Sequence, residues 1–458
     1  MLYHLFTYLF PVKQNRLKRV MKLFILSITL LSFSLSSASQ SVYSLNDCIA
    51  IGLEKNFSIL VARNNETIAK NNFTAGNAGY LPSLDLTGRY GGTVNNNNQN
   101  LSGGTTNSSS GIHNTTGTAG ASLGWTIFDG FAVKTTYKKL NELKQLGALN
   151  TQMEVENLVS RIITGYYNYI RQVQTLNNLE YALTLSRERL RIDRDRYILG
   201  SSSKLQVLQS QVYLNADSSN LSKQFELVRA AQITLNELMA FEDLGQGFES
   251  ADTLIEVDEY LLYEKLYDAT LAGNTSLTIA ARNMTVSEYD YKIITSRSYP
   301  YLNFSSGYNY TLNTYESGTI KNQTTNGLNY GLTFGVNIFD GFNQRRSITN
   351  SGIDVKNKEL KYLEIEQGIK ADLLTIYNVY SNNLRLIKLE EQNLQTATEN
   401  LDIALERYKL GSLSGIDLRE VQKSLLDAKD RLLSIQFQSK LAEISLKLIS
   451  GTIMEYYR

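Results

Sequence analysis

The pentapeptide IFDGF stands at residues 127–131 and returns intact at 338–342, 211 positions later in a chain of 458 residues. Its chemistry is that of a switch from strand to helix. The carboxylates of Asp129 and Asp340 suit a helix N-cap, where they accept hydrogen bonds from free N–H groups of the first turn. Their charge also favours the positive end of a helix. Gly130 and Gly341 give the backbone freedom to swing between the two structures. In the first copy Phe128 and Val133 suit a hydrophobic staple, but the second copy has Gln344 where Val133 stands, so that detail does not repeat.

The segments before each pentapeptide alternate with period two. In 118–127, Ala119, Ala121, Leu123, Trp125 and Ile127 alternate with Thr118, Gly120, Ser122, Gly124 and Thr126. The stretch 83–94 does the same, as do 302–312 and 328–338 in the second half. Each half therefore carries two strands joined by a polar loop. Their length suits tilted strands crossing a bilayer, although a soluble sandwich hairpin alternates too. Tyr80, Trp125, Tyr299, Tyr301, Tyr308 and Tyr330 fit an aromatic girdle at a membrane interface. Pro82 and Pro300 mark the opposite junctions, from helix to strand, because proline disfavours helix at the preceding residue and is tolerated where a strand starts.

After each pentapeptide comes a long proline-free stretch. Ile369, Leu373, Ile376, Tyr380 and Ile387 recur in steps that average 3.5 residues, as do Val159, Ile162, Tyr166, Tyr169 and Val173. That period is the seam of a supercoil. About 69 residues of helix extend on the order of 100 Å. Each long helix stops at RYILG (196–200) or RYKLG (407–411), again 211 apart, with Gly200 and Gly411 suited to a left-handed C-terminal position. Ser203 with Gln206, and Ser414 with Asp417, then offer caps for a returning helix.

The whole reads as two copies of one plan. Asn56 answers Asn274 and Pro82 answers Pro300, both 218 apart, so the first half holds seven extra residues in the tract NNNNQNLSGGTTNSSSGIHN. The expected division is a leader 1–38, comprising an extension 1–20 and an export signal 21–38; a first repeat 39–240; a connector 241–260; and a second repeat 261–458. The first repeat has helices over 44–79, 130–199 and 202–240 with strands 82–94 and 118–128. The second has helices over 261–298, 341–410 and 414–450 with strands 301–312 and 328–339. The leader expectation rests on one lysine, Lys22, before an apolar run from Leu23 to Leu35 and small residues through Ala38.

Composition narrows function. The net charge of +1 points neither to nucleic acid nor to an acidic tail. A single cysteine, Cys48, allows no intrachain disulfide, and two histidines leave little material for a histidine metal site or a catalytic triad. No nucleophile–base pair or phosphate loop is present, so the reading is not an enzyme and no cofactor is expected. Four strands cannot close a membrane barrel, so copies must assemble; two give eight strands and three give twelve.

These features together resemble the TolC-like outer-membrane efflux proteins, over nearly the whole chain from about Ser44 to about Tyr457. The residues that carry it are the paired strands, both copies of the [IV]-F-D-G turn and the R-Y-x-x-G-x-S tips. The resemblance implies a mainly α fold with membrane β. Three chains build a twelve-stranded outer-membrane β-barrel, four strands from each, continuous with a long α-helical barrel in the periplasm of a Gram-negative cell. It implies the exit duct of a tripartite efflux pump or type I secretion system. The partners are a periplasmic adaptor, an inner-membrane RND or ABC transporter, and outer-membrane lipid. The connector is expected in the equatorial region of the tunnel. Arg196, Tyr197, Gly200 and Ser203, with Arg407, Tyr408, Gly411 and Ser414, match the tips that meet the adaptor. Some members narrow the tunnel with acidic rings in a pattern Y-x-x-G-x5-D-x2-D; Tyr408, Gly411, Asp417 and Glu420 match it, with glutamate in the last place. Six carboxylates around one axis would favour cations. Leu413 occupies the place of a basic residue that bridges this region in some members, and Gln206 and Gln209 leave the first tip neutral. The competing function is a trimeric, outer-membrane-anchored adhesin or structural coiled coil.

Overall fold

The computed structural model describes residues 41–457, so the leader expected over 1–38 lies outside the described residues. The chain forms two compact units. One takes the chain up to Ala50 with Gly165–Ile255 and Ala397–Asp430; the other takes Ile51–Thr164, Glu256–Thr396 and the chain from Arg431 on. In order the elements are β1 (Ser41–Tyr43), α1 (Leu45–Lys55), α2 (Phe57–Asn72), α3 (Ala75–Ala78), β2 (Ser83–Asn100), β3 (Thr106–Asp129), α4 (Ala132–Ile198), α5 (Lys204–Leu238), β4 (Phe248–Ser250), α6 (Tyr263–Gly273), α7 (Thr275–Ser296), β5 (Tyr301–Thr314), β6 (Asn322–Gly335), α8 (Asn343–Lys409) and α9 (Gly415–Ile449). A short 3-10 turn, Ile453–Tyr457, follows. No helix among the described residues is long and apolar enough to cross a membrane.

The second unit contains a four-stranded antiparallel sheet in the order β2-β3-β5-β6. Register separates its faces. Asp85, Ser122, Gly307 and Asn329 lie in one cross-strand row, which is small and polar. The neighbouring row, Leu84, Leu123, Ser306 and Tyr330, belongs to the opposite face, with Leu86, Trp125, Phe304 and Leu332. This apolar face is uncovered: Leu86 is 86% exposed and Tyr330 78%.

Several expected boundaries are corrected. The helix expected over 44–79 breaks at Asn56, whose Oδ1 accepts from Ser58 N at 2.9 Å and caps α2. The one expected over 261–298 breaks at Asn274, which accepts from Leu277 N at 3.0 Å and caps α7. An asparagine side chain in these places offers the backbone a cap in competition with helix continuation. The strands expected over 82–94 and 118–128 run on to Asn100 and back from Thr106, leaving only residues 101–105 as the turn. Once two strands share a register, every added pair satisfies backbone groups whether or not side chains alternate. The strand expected over 328–339 starts earlier, at Asn322, and stops at Gly335, which pairs with Tyr301. The next partner in register is Pro300, which has no N–H to give. The helices expected over 130–199, 202–240, 341–410 and 414–450 are shorter at their ends by one or two residues.

The connector expected over 241–260 contains β4, which pairs in parallel with β1. In the first unit the Tyr169 hydroxyl donates to the Phe248 carbonyl at 2.9 Å, and the ring of Phe248 stacks on Tyr43 at 5.6 Å. In the second unit the Tyr380 hydroxyl donates to the Asp258 carbonyl. Tyr380 belongs there to a core with Leu266, Leu373, Ala442 and Leu446. Tyr169 and Tyr380 stand 211 apart, and each pins connector backbone.

Candidate functional site

Two kinds of repeated feature carry the chemistry, the strand-to-helix turns in the second unit and the hairpin tips in the first. At the turns, Asp129 Oδ2 accepts from Val133 N at 2.9 Å and Asp340 Oδ2 accepts from Gln344 N at 2.8 Å. Asp129 and Asp340 are the expected N-caps, but the helices begin at Ala132 and Asn343, so the N-cap positions fall on Phe131 and Phe342 and each aspartate caps from two residues before them. The intervening backbone is wound left-handed twice. Gly130 and Phe131 have φ of 68° and 72°, Gly341 and Phe342 of 69° and 63°. Phenylalanine in that region costs roughly 1–2 kcal/mol. At Gly130 space matters as well, since a Cβ there would lie 2.4 Å from the Ser296 carbonyl oxygen. The expected staple is replaced by an aromatic pair that does repeat: Phe128 meets Phe131 edge-on at 5.2 Å, and Phe339 meets Phe342 at 5.4 Å. Sequence reasoning missed it because a left-handed phenylalanine is not read from composition. Pro82 and Pro300 stand directly before β2 and β5.

At the tips both long helices close in the same way. Gly200 N donates to Tyr197 O and Ser201 N to Arg196 O; Gly411 N donates to Tyr408 O and Ser412 N to Arg407 O. With φ of 75° and 80° at the two glycines, these are paired Schellman closures. Ser203 Oγ accepts from Gln206 N at 3.4 Å, and Ser414 Oγ accepts from Asp417 N at 3.2 Å. Ser414 Oγ also donates to Asp417 Oδ2 at 2.7 Å, so this acid is engaged in the cap. Asp417 and Glu420 are both exposed.

The tyrosines of the tips differ. Tyr197 is 47% exposed, while Tyr408 is 1% exposed. The Tyr408 hydroxyl donates to Asp193 Oδ1, and Asp193 Oδ2 accepts from Ser210 Oγ. Arg196 donates to the Tyr408 carbonyl and lies 4.8 Å over its ring. Burial, and then the Asp193 carboxylate, push the Tyr408 hydroxyl up to about 12. A second link joins the hairpins through Arg419, which reaches both oxygens of Asp217 at 2.8 Å; Ser186 Oγ also donates to Asp217. Arg189 and Arg419 flank the ring of Tyr213 at 4.9 and 5.1 Å. Arg189 is buried, and its Nε and Nη1 have no hydrogen-bond partner among the described residues.

Sequence reasoning singled out Tyr408 but missed Asp193, Ser210, Asp217 and Arg419. A signal existed: Ser210, Asp217 and Gln224 are buried polar residues seven apart on α5. Polar side chains at the seam positions of a supercoil require partners across it. Elsewhere, burial and then the Asp47 charge push the Cys48 thiol up to about 12, which suits a structural cysteine rather than a nucleophile.

The model of the outer membrane efflux protein family matches residues 49–240 and 266–452, well over half of the chain. The outer membrane protein TolC of Vibrio cholerae is 21% identical over 315 residues, covering 66% of this chain and 69% of that protein. Among solved structures, the Campylobacter jejuni CmeC outer membrane channel superposes with a TM-score of 0.74 at 15% identity, covering 89% of this chain and 86% of that one. VceC of Vibrio cholerae gives a TM-score of 0.69 at 17% identity, covering 89% and 96%.

Proposed function

This chain belongs to the outer membrane efflux protein family, and on that premise we propose how its parts build the conduit. It is an outer-membrane exit duct of efflux systems and not an enzyme, placed in the Gram-negative outer membrane with its helical part in the periplasm. The adhesin alternative has no support.

Three copies close one twelve-stranded barrel, to which each contributes β2, β3, β5 and β6, and their long helices line one tunnel. The observation that carries this is the sheet itself. Neither β2 nor β6 has a neighbour on its outer side among the described residues. In hydrocarbon each unpaired backbone group costs several kcal/mol, so an open sheet of four strands cannot remain alone there. Its apolar face suits lipid, and the row of Asp85, Ser122, Gly307 and Asn329 suits water. The internal duplication supplies two strands and one hairpin tip per half.

Flow through such a tube is passive, and the energy comes from an inner-membrane RND or ABC transporter joined through a periplasmic adaptor. The tips are the docking ends: Ile198, Leu199 and Leu410 are about 80% exposed beside the rigid Schellman closures. Asp417 and Glu420 form the acidic gate, with Tyr408 as the clamp that sets its width. The test is purification of the full chain in detergent, mass determination, and recording in planar bilayers. A trimer mass with stepwise conductance is expected. A lone subunit without conductance overturns the reading.

A further inference from the structure

Both strand-to-helix turns carry a constellation that conduction does not use. Phe131 and Phe342 sit on left-handed backbone yet are 61% and 66% exposed as residues. Glycine or asparagine would take that backbone with less strain, and the edge-on contacts with Phe128 and Phe339 still leave most of each phenylalanine open to its surroundings. Three residues on, one turn along each helix, stand Lys134 and Arg345, again 211 apart. Both are exposed, and neither forms an ion pair among the described residues.

Register decides where the first group points. β3 has a bulge at Ile127: Thr126 pairs with Asn303, but Phe128 pairs with Leu302. The extra residue returns Phe128 to the face of Trp125, Leu302 and Phe304. That is the apolar face. Phe131, in edge contact with Phe128, therefore continues the lipid-facing surface beyond the last ladder pair. In the second copy Ile338, 91% exposed, and Phe339, 72% exposed, lead to Phe342. An open depression of about 450 Å³ beside it is lined by Arg345, Arg346, Thr349 and Asn350.

We propose that each turn binds one anionic phospholipid of the periplasm-facing leaflet, with the phenylalanine at the acyl–glycerol boundary and Lys134 or Arg345 on the phosphate. Strands cross the membrane and helices occupy the periplasm, so the turn between them lies at that leaflet's surface. The assignment rests on the reading that the sheet spans the outer membrane, and the site is continuous with the sheet's lipid-facing side. A phosphodiester is the complement of an exposed cation one helical turn below an aromatic anchor. The nearby carboxylates do not compete for the cation by an ion pair, because Asp129 and Asp340 accept from the first-turn N–H groups.

The experiment uses the full chain in detergent, with dioleoyl phosphatidylglycerol and dioleoyl phosphatidylcholine added in equal amounts, and native mass spectrometry to count bound lipids. Wild type should retain phosphatidylglycerol about fivefold over phosphatidylcholine per site, the preference expected of one near-surface cation. Lys134→Gln with Arg345→Gln should bring the two lipids to parity, while Lys134→Arg with Arg345→Lys should keep the preference. Parity in wild type, or a preference that survives the glutamine pair, overturns the site. Bilayer recording of the same preparations separates this from the duct reading. Protein that conducts but shows no lipid preference removes the lipid site alone, whereas protein that prefers phosphatidylglycerol but never conducts removes the duct and keeps the site.

Discussion

The two hairpin tips share a backbone and differ in what they hold. Both long helices end with the same pair of hydrogen bonds onto a left-handed glycine, and both returning helices start on a serine cap. Yet Tyr197 is half exposed, whereas its counterpart Tyr408 is buried against Asp193, with Arg196 on its ring and carbonyl. The second tip also carries acids where the first has glutamines. Closing a helix is a local backbone problem, and one solution serves both copies. The contact to the neighbouring hairpin is made by Tyr408 alone of the two corresponding tyrosines.

The largest effect expected from breaking this asymmetry comes from the ion pair across the hairpins. Arg419→Met leaves Asp217 buried without its cation, and the loss should be about 3 kcal/mol. The exposed Arg194, which meets Gln211 at 3.1 Å within the first hairpin, serves as the control. Arg194→Met should stay within about 0.5 kcal/mol. Denaturant unfolding of both variants checks this, and equal losses would show that the cross-hairpin link has no special weight.

Next comes the tyrosine pair. Tyr408→Phe removes the donor to buried Asp193 and should cost about 1 kcal/mol. It should also widen the tunnel mouth, seen as higher single-channel conductance, while Tyr197→Phe should change neither. The hydroxyl adds a pH signature. Its ionisation is raised from the ordinary value of about 10 to about 12 in the fold, so the folded state holds the proton more tightly. The stability this contributes is complete below pH 10 and is lost as pH rises through about 12. Burial raises Tyr166, Tyr169 and Tyr380 as well, so an alkaline unfolding series should show a smaller loss in Tyr408→Phe than in wild type, the difference being the share of Tyr408. Superimposable curves would break the clamp assignment.

The smallest effect concerns charge alone. Asp417→Asn with Glu420→Gln should lower cation preference by about twofold, because exposed carboxylates are screened within about 8 Å at physiological salt. Gln206→Glu with Gln209→Glu, which gives the first tip the acids of the second, should raise it by a similar factor. Reversal potentials in a salt gradient measure both. Unchanged values in the first pair would remove the gate and leave the clamp.

Much of this architecture was legible because it depends on residues with narrow backbone roles. Asp129, Gly130, Pro82 and Gly200 each restrict what the chain can do within a few residues. What could not be read depends on the partner strand or helix. The ladder stops at Gly335 because of Pro300 across the sheet, not because of anything in β6. Asp193 looks like one more charge in the run RIDRDRY until Tyr408 and Ser210 enclose it. Asn56 and Asn274 were visible as matching letters, but their power to interrupt a helix depends on side chains turned back on their own backbone.

Among the described residues the outer rims of β2 and β6 are unpaired, and that bears on the protein before it assembles. Each presents a row of bare amide and carbonyl groups that any extended peptide can zip onto. On the proposed trimer, a chain is most open to such pairing before two further copies cover those rims. On that reading assembly is a matter of timing, because each bare group carried alone into hydrocarbon costs several kcal/mol.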